Sequence, residues 1–339
     1  MPLDASRTDR LALLFTSAGR RVELLRAFRQ AFQQLGVAGK IIVADIDPLA
    51  PAFQVADVGY LVPPVTNQGY VTALADICQR ESVRLIFPLI DPDIPVLARG
   101  RDLLEATGAR LVALAAEQAE QTFDKLATIE LFDRLDVPHP PTWPAGEAPK
   151  DQLRYPAFVK PRFGSAGKHA FRAESRQALE SLLGYVPDPV VQEFVDGPEI
   201  TSDVTCSLEG EVWAVVSRRR IEVRWGEVAK GVTEHDPEIL RQCVTIARGL
   251  QAVGPITVQC LRGPDGPRFT EVNARFGGGV PLGIAAGVPS PTWYVAEASG
   301  LPVTPPALGE YRTGLYLTRY DSSYFLSESD VARIESRRL

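Results

Sequence analysis

Apolar and polar positions in the first third of the chain alternate between short apolar runs and amphipathic stretches. The apolar run at residues 11–15 predicts a buried strand, and the spacing at residues 20–35 predicts a helix that Gly36 ends. The same rhythm predicts strands at 40–44, 84–88 and 110–113, and helices at 70–81 and 99–107. Strands that alternate with helices in this order predict a parallel sheet with helices on both faces.

The pattern changes after residues 138–150, whose proline-rich and polar composition predicts a loop or linker. Beyond it strands outnumber helices, which predicts antiparallel pairing. The predicted strands lie at 157–160, 168–172, 190–194, 212–216 and 256–260, and the predicted helices at 175–183 and 237–253. Residues 227–233 are interpreted as a loop, and residues 322–339 as a short surface helix or a frayed end.

Composition narrows the classes of protein that fit. The 339 residues suffice for two or three domains, and 45% apolar with 23% charged residues is ordinary for a soluble globular protein. The net charge of −6 and the lack of a basic patch argue against a nucleic-acid partner. No apolar stretch reaches membrane-spanning length and no signal peptide is recognised, so a cytoplasmic protein is expected. Four widely spaced cysteines indicate a reducing compartment, and the three histidines lack metal-ligand spacing.

Three polar side chains at the end of an apparent strand form the strongest chemical signal. Glu271, Asn273 and Arg275 alternate with apolar residues, so they are expected on one face of that strand. Carboxylate and amide oxygens suit Mg²⁺, and arginine can hold a phosphate with two parallel hydrogen bonds. Gln259 on the preceding strand adds a third oxygen if the two strands pair as a hairpin. A polar strand end with surface hydrogen bonds is the alternative for the triplet taken alone.

A lysine and a glycine-containing loop suit the binding of a phosphate. Lys160 ends an apolar strand, where a lysine without a partner is unusual, and a phosphate is a natural partner. The loop that follows contains Gly164, Ser165, Ala166 and Gly167, whose small side chains expose backbone N–H groups. An ordinary hairpin turn is the alternative for this loop, which lacks the spacing of a P-loop.

The segment at residues 190–195 runs from an apolar strand into a polar turn. An adenine can bind along the backbone of Glu193, Phe194 and Val195. The carboxylate of Glu199, just downstream, can accept hydrogen bonds from ribose hydroxyls. A strand that simply ends in a turn is the alternative. Lys125, taken by itself, is a solvated helix residue.

The chain resembles the ATP-grasp superfamily through these features taken in order, from the first strand to about residue 300. The nearest form is the carbamoyl-phosphate-synthase-like branch, which includes stand-alone carboxylate–amine ligases. The resemblance implies an α/β fold in which a parallel, Rossmann-like pre-ATP-grasp domain precedes the two α+β subdomains of the ATP-grasp fold. The expected segments are 1–115 for the N-terminal domain, 116–195 for linker helices and the small lid, 196–310 for the large subdomain with the metal site, and 311–339 for a C-terminal strand and tail.

The resemblance also implies roles for individual residues. Gln259, Glu271 and Asn273 would bind one or two Mg²⁺ ions, with Mn²⁺ as an alternative ion. Arg275 would neutralise the γ-phosphate of ATP as it is transferred. The implied nucleotide-binding residues are Lys125, Lys160, Gly164, Ser165, Ala166, Gly167, Glu193, Phe194, Val195 and Glu199.

The implied reaction has two steps. A carboxylate oxygen attacks the γ-phosphate of ATP to give an acyl phosphate and ADP, and an amine then displaces phosphate to form an amide or peptide bond. Lys160 and Arg275 belong to the implied catalytic set, together with one residue of the 218–220 arginine run, for which Arg219 is the candidate. The expected partners are a small-molecule carboxylate and an amine, and the resemblance implies a homodimer through the N-terminal domain.

Three other functions stay open on the sequence. The protein could bind ATP without catalysis, or it could perform carboxyphosphate or carbamoyl-phosphate chemistry on bicarbonate. A nicotinamide oxidoreductase would need a glycine-rich turn after the first strand, where Gly19 is the single glycine. The glycine run at 277–279 departs from the carbamoyl phosphate synthase pattern, and we interpret it as space for a differently shaped acyl substrate.

Overall fold

The first sheet is parallel, as the alternation of strands and helices predicts. The computed structural model of the protein describes residues 10–164, 167–224 and 226–339. The strands of this sheet are β1 (Leu11–Thr16), β2 (Gly39–Asp45), β3 (Val58–Leu61), β4 (Val83–Pro88) and β5 (Arg110–Leu111), in the order β3-β2-β1-β4-β5. The helices around it are α1 (Val22–Leu35), α2 (Tyr70–Glu81), α3 (Asp93–Arg99) and α4 (Arg101–Glu105), with a 3₁₀ turn at Pro51–Gln54.

Burial explains why most of these segments fold as predicted. Every residue of β1 is buried, so the strand is a continuous apolar run rather than an alternating one. α1 ends at Gly36, which adopts a left-handed conformation with φ 64°. The pattern does not predict β3, because the strand is short and only half buried. The predicted helix at 99–107 is wrong in its bounds, since α3 starts earlier and a break at Gly100 separates it from α4.

The second sheet is small and antiparallel. Two helices precede it, α5 (Ala116–Phe123) and α6 (Lys125–Arg134), and α7 (Arg176–Tyr185) packs on it. Its strands are β6 (Thr142–Pro144), β7 (Ala157–Pro161), β8 (Phe171–Ala173) and β9 (Pro189–Glu193), in the order β6-β9-β7-β8. β6 lies inside the stretch predicted as a linker, because its three residues pair with β9 in spite of their proline-rich surroundings.

The third sheet carries the second half of the chain. Its strands are β10 (Glu199–Cys206), β11 (Val212–Arg224), β12 (Glu227–Thr233), β13 (Pro255–Gly263), β14 (Gly266–Asn273) and β15 (Tyr316–Thr318), in the order β14-β13-β10-β11-β12-β15. The accompanying helices are α8 (Pro237–Gly249), α9 (Val280–Ala285), α10 (Ser290–Ala298) and α11 (Glu328–Glu335). Among the described residues, no helix combines the length and apolar character that crossing a membrane requires.

The interpretation of residues 227–233 as a loop is wrong, since they form β12. β11 continues beyond its predicted end at residue 216 and pairs with β12, with Arg218 opposite Thr233. Val228 and Val232 are buried in this arrangement. The charged and glycine residues between them hide the strand pattern in the sequence.

An aromatic cluster joins the first sheet to the end of β14. The ring centroid of Phe276 lies 5.9 Å from that of Phe28 and 5.7 Å from that of Phe87. Tyr294 on α10 packs against Phe87 at 5.6 Å. The cluster holds the segment after β14 against the carboxyl ends of β1 and β4. Open parallel sheets bind their ligands at such ends.

Asp93 is a fully buried carboxylate at the start of α3. Its oxygens accept hydrogen bonds from Thr16 Oγ1 at 2.6 Å, Ser17 Oγ at 3.2 Å and Tyr70 OH at 3.2 Å. Burial raises the pKa of Asp93 to about 6, although these three hydroxyls act in the opposite direction. The cost of burying the charge therefore outweighs the three hydrogen bonds, and the folded protein favours the protonated form of Asp93.

We expect Asp93 to make the folded protein less stable as the pH rises from about 4 to above 6. The folded state binds the proton more tightly than the unfolded chain, whose Asp pKa is about 3.9, so this stabilisation is lost as Asp93 ionises. A difference of two pKa units corresponds to about 3 kcal/mol. Urea unfolding of the wild type and of Asp93→Asn across this range measures the effect. Parallel stability curves for the two proteins would contradict it.

Candidate active site

A cavity of about 680 Å³ lies where the three sheets meet. The residues that follow β1 and β4 form one side of it, and side chains of the second and third sheets form the others. Ser165 and Ala166 of the predicted set lie outside the described residues, and Arg219 does not line the cavity. The predicted site residues that line it are Lys125, Lys160, Gly164, Gly167, Glu193, Phe194, Val195, Glu199, Gln259, Glu271, Asn273 and Arg275.

The oxygen-bearing side chains lie on a hairpin. β13 pairs with β14, and Gln259 is the register partner of Glu271, which confirms the predicted strand pairing. Burial raises the pKa of Glu271, while the charges of Lys125 and Lys160 act in the opposite direction. Within the described part of the chain, no group of three or more His, Cys, Asp or Glu side chains is arranged as a metal site. One carboxylate and two amides suit Mg²⁺, which takes its other ligands from phosphates and water.

Arg275 lies just beyond the end of β14 rather than on the strand. Its Nη2 donates to Asp91 Oδ2 at 2.6 Å and to Asn273 Oδ1 at 3.3 Å, and its Nη1 donates to the Phe276 carbonyl at 3.1 Å. Asp91 belongs to the turn after β4, so the first sheet supplies the partner of this arginine. The guanidinium still lies beside Asn273, as the sequence predicts, and is held in place by three acceptors.

Two lysines face the cavity from different elements. Lys160 on β7 is buried, and its Nζ donates to Gln192 Oε1 at 3.2 Å. Burial lowers the pKa of Lys160 to about 8, while the neighbouring Glu271 acts in the opposite direction. Lys125 begins α6, and its Nζ donates to the carbonyl of Gly164 at 2.8 Å. Lys125 therefore lies beside the glycine-containing loop, and the charges of both lysines act on the carboxylate of Glu271.

The segment after β9 follows the wall of the cavity. The N–H of Glu193 donates to the carbonyl of Pro141 at 2.9 Å, so only the carbonyl of Glu193 is available to a ligand. Glu199 at the start of β10 forms an ion pair with Arg220. Arg220 also donates to the carbonyl of Gly226 at 2.9 Å. A ribose that binds Glu199 would therefore use a carboxylate that is also paired with Arg220.

Comparisons with known proteins identify the family. A family model for the PylC-like N-terminal domain matches residues 13–112. A second model, described as ATP-grasp in the biosynthetic pathway with Ter operon, matches residues 185–320. Together the two models cover most of the chain, and the chain belongs to the ATP-grasp superfamily. This membership accounts for the second half of the chain, which a nicotinamide oxidoreductase would leave unexplained.

Two curated relatives and one solved structure illustrate the similarity. D-alanine–D-alanine ligase from Marinomonas sp. is 31% identical over 157 residues, which are 43% of this chain and 50% of the relative. Phosphoribosylamine–glycine ligase from Corynebacterium ammoniagenes is 27% identical over 302 residues, 78% of this chain and 67% of the relative. The chain therefore spans half the length of the first relative.

The solved structure is the biotin carboxylase domain of 2-oxoglutarate carboxylase from Hydrogenobacter thermophilus, in complex with MgADP, ADP and bicarbonate. The likeness covers 91% of this chain and 74% of that chain, with a TM-score of 0.70 and 18% sequence identity. At this identity the likeness establishes the fold.

The arginine run of this ATP-grasp protein does not present Arg219 to the cavity. Side chains alternate along β11, so Arg218 and Arg220 share the face that lines the cavity. Arg219 points to the other face, where its Nε lies 3.4 Å from Glu234. Arg218 is buried and forms an ion pair with Asp203. The choice of Arg219 is therefore corrected to Arg218 and Arg220.

The glycine run after β14 does not provide open space, contrary to the interpretation of the sequence. A Cβ at Gly277 would lie 2.7 Å from Asp203 Oδ1, and a Cβ at Gly278 would lie 2.9 Å from Arg21 Nη1. A Cβ at Gly279 would overlap the guanidinium of Arg218. The space beside these three glycines is therefore filled by charged side chains that approach the backbone closely.

Arg21 and Glu227 are among the cavity-lining residues that the predicted site set leaves out. Arg21 follows β1, and Glu227 begins β12. Arg20 is exposed beside Asp321, while Arg21 is largely buried. The position of Arg21 at the carboxyl end of a parallel strand was the available signal.

Proposed function

We propose that the protein is an ATP-dependent ligase that activates a carboxylate as an acyl phosphate and transfers the acyl group to an amine, with release of ADP and phosphate. The observation that carries the proposal is that Lys160, Glu271, Asn273 and Arg275 line one cavity of about 680 Å³ in an ATP-grasp fold. Cavities of about 300–1,000 Å³ hold small molecules. Both curated relatives described above are ligases by name.

The proposed nucleotide site runs along the second sheet. Lys125 and Lys160 contact the phosphates, since both lysines line the cavity and Lys125 lies beside the glycine-containing loop. That loop, with Gly164, Ser165, Ala166 and Gly167, closes over the phosphates. The carbonyl of Glu193 and the backbone of Phe194 and Val195 hold the adenine, and Glu199 holds the ribose.

The proposed metal ligands are Gln259, Glu271 and Asn273. Their oxygens fit one or two Mg²⁺ ions, and Mn²⁺ stays an alternative. When bound, the metal supplies positive charge that offsets the negative charge of the phosphates. Glu271 supplies the carboxylate of this set, and the charges of Lys125 and Lys160 that act on it favour a site that a phosphate completes.

Arg275 is proposed to stabilise the transferring phosphoryl group. Asp91 and Asn273 hold its guanidinium in place, so little reorganisation is needed when a γ-phosphate arrives. The substrate carboxylate forms an O–P bond as the bond from the γ-phosphorus to ADP breaks. The amine then forms a C–N bond as the C–O bond to phosphate breaks, and the amine loses a proton. Exclusion of water from the closed cavity protects the acyl phosphate.

ADP release from Mg·ATP tests the proposed function. The assay combines a panel of carboxylates with and without an amine, and includes bicarbonate alone as a separate arm. We expect full turnover only when a carboxylate and an amine are both present. Turnover with bicarbonate alone would instead indicate carboxyphosphate chemistry, and Mg·ATP binding without turnover in any arm would indicate a binding protein.

We expect the affinity for Mg·ATP to fall as the pH rises above about 8. Burial gives Lys160 a pKa of about 8, so the ligand-free protein loses this charge above that pH. Phosphates favour the charged lysine, and the affinity then falls by up to about tenfold per pH unit. The Kd measured by calorimetry should show this for the wild type but not for Lys160→Gln, which should bind weakly throughout. A wild-type Kd that does not change up to about pH 9 would contradict the assignment.

A further inference from the structure

Arg21 is a cation in an unfavourable position. Its side chain is 15% exposed, and it lines the cavity. Burial lowers the pKa of Arg21, and the nearby charges of Arg275 and Arg319 add to that effect, while the charges of Glu227 and Asp91 act in the opposite direction. Arg21 is also the N-cap residue of α1, where the positive end of the helix dipole disfavours a cation. A cation kept against these three effects is typical of a functional site that binds an anion.

Glu227 forms an ion pair with Arg21, and the charge of Asp91 also acts on this arginine. Its Oε1 lies 3.2 Å from Nη1 of Arg21, and its Oε2 lies 3.4 Å from Nη1 of Arg319. Both distances exceed the ~2.8 Å of a charge-assisted hydrogen bond. Glu227 is therefore shared between two arginines and bound closely by neither. Its side chain is 45% exposed and lines the same cavity, so a ligand can reach both charges.

The pair lies over the glycine turn, beside the proposed site of phosphoryl transfer. A Cβ at Gly278 would lie 2.9 Å from Arg21 Nη1 and 3.0 Å from Glu227 Cδ. The charge of Arg275 acts on Arg21 across the cavity, so the two guanidinium groups are neighbours. A ligand bound to Arg21 and Glu227 would therefore lie next to the arginine assigned to the γ-phosphate.

We propose that Arg21 and Glu227 form the subsite for the substrate whose carboxylate is activated, and that this substrate is an α-amino acid. The inference rests on the proposed ligase activity and adds the class of its acyl substrate. The substrate carboxylate binds the guanidinium of Arg21, and its ammonium group binds the carboxylate of Glu227. Opposite charges 3.2 Å apart in the protein match a ligand whose own opposite charges are attached to one carbon atom.

Charge balance favours a zwitterion over a simple carboxylate. A zwitterion replaces one direct ion pair with two, so Arg21 and Glu227 both keep a partner. A simple carboxylate would bind Arg21 and leave Glu227 with Arg319 as its neighbour. Glu227 would then contribute nothing to the binding of that ligand. A hydrogen bond to a charged group contributes an affinity factor of about 10- to 150-fold. That factor is the expected preference for the amino acid.

Hydroxamate formation tests the inference without knowledge of the natural amine. Hydroxylamine attacks an acyl phosphate, forms the C–N bond and releases phosphate. Each amino acid, in both enantiomers, is paired with its deaminated analogue: alanine with propionate, leucine with 4-methylpentanoate, and glutamate with glutarate. β-Alanine is added because its charges are one carbon further apart. We expect kcat/KM for the preferred amino acid to exceed that of its analogue by about 10- to 150-fold.

Variants of Arg21 and Glu227 test separately how the carboxylate and the ammonium group of the ligand are bound. Glu227→Gln should bring the ratio of kcat/KM for the amino acid to kcat/KM for its analogue close to one, because it removes the partner of the ammonium group. Arg21→Met should lower kcat/KM for both compounds together, because both carry the carboxylate. Glu222→Gln is the matched control, since Glu222 lies on the neighbouring β11, pairs with Lys230 at 2.6 Å and does not line the cavity.

The affinity for Mg·ATP, measured on each variant, distinguishes a lost subsite from a misfolded protein. Equal rates with amino acids and analogues in the wild type would overturn the inference and leave the ligase proposal standing. An unchanged preference in Glu227→Gln would overturn it too. Failure of every carboxylate to release ADP would overturn the ligase proposal, and the inference with it.

Discussion

We expect Glu271→Gln to lower kcat for ATP turnover by on the order of 10²-fold or more, without loss of the fold. Glutamine keeps the size of the side chain and its place opposite Gln259 but removes the carboxylate of the proposed metal set. The half-buried charge of Glu271 also costs stability, since partial burial raises its pKa. The variant should therefore be at least as stable as the wild type at neutral pH, while its activity is lost.

Glu271→Gln is expected to lower ATP turnover without lowering stability, so the two measurements together distinguish a role in the site from a structural role. ADP release and urea unfolding at neutral pH are measured on the wild type, Glu271→Gln and the control Glu222→Gln, whose side chain lies outside the cavity. The control should match the wild type in ADP release. Wild-type turnover in Glu271→Gln would remove Glu271 from the site, and a large loss of stability would show that its role is structural.

Gly279→Ala should disable the site by a different route. The backbone of Gly279 has φ −89°, which alanine adopts without strain, so the effect is steric. The new methyl group would overlap the guanidinium of Arg218, which is buried against Asp203. Displacement of the guanidinium leaves Asp203 without its buried partner, and breaking such a pair costs about 3–5 kcal/mol. We expect a loss of stability near the lower end of that range, and a loss of ligase turnover.

A double-mutant cycle identifies the cause. In an Arg218→Ala background the methyl group has space, so Gly279→Ala should cost little more. Gly184→Ala is the matched control, because a Cβ at Gly184 in α7 meets no atom within 4 Å. That change should be neutral or stabilising by about 0.5–1 kcal/mol. Equal costs of Gly279→Ala in both backgrounds would contradict the proposed clash.

Local pattern is sufficient for most of the elements. β1 and α2 agree with their predicted ranges to within a residue, because a buried strand gives a continuous apolar run and a helix buried on one face gives a periodic pattern. The hairpin that pairs Gln259 with Glu271 follows from two adjacent strands joined by a short turn. β12 was missed because it packs through two valines among polar residues. Its partner strands, and not its own composition, make it a strand.

The arginine run shows where alternation along a strand stops being informative. Residues two apart share a face, so Arg218 and Arg220 had to lie together with Arg219 opposite. Which face meets the cavity depends on how β11 lies in the third sheet, which no local spacing encodes. The glycine run at 277–279 gave the same kind of error. Its missing side chains indicate a close approach, but the approaching groups belong to Arg218 on β11 and Arg21 before α1.

The resemblance to the ATP-grasp superfamily implied the fold, and alternation along the strand predicted the hairpin face that bears Glu271. Those features depend on neighbours in sequence, whose spacing sets strand, turn and side-chain direction. The partners Asp91 of Arg275 and Glu227 of Arg21 are different, because each pair joins two sheets that are distant in sequence. Burial of the aromatic cluster brings those sheets together, and long-range packing of this kind leaves no periodic pattern in the sequence.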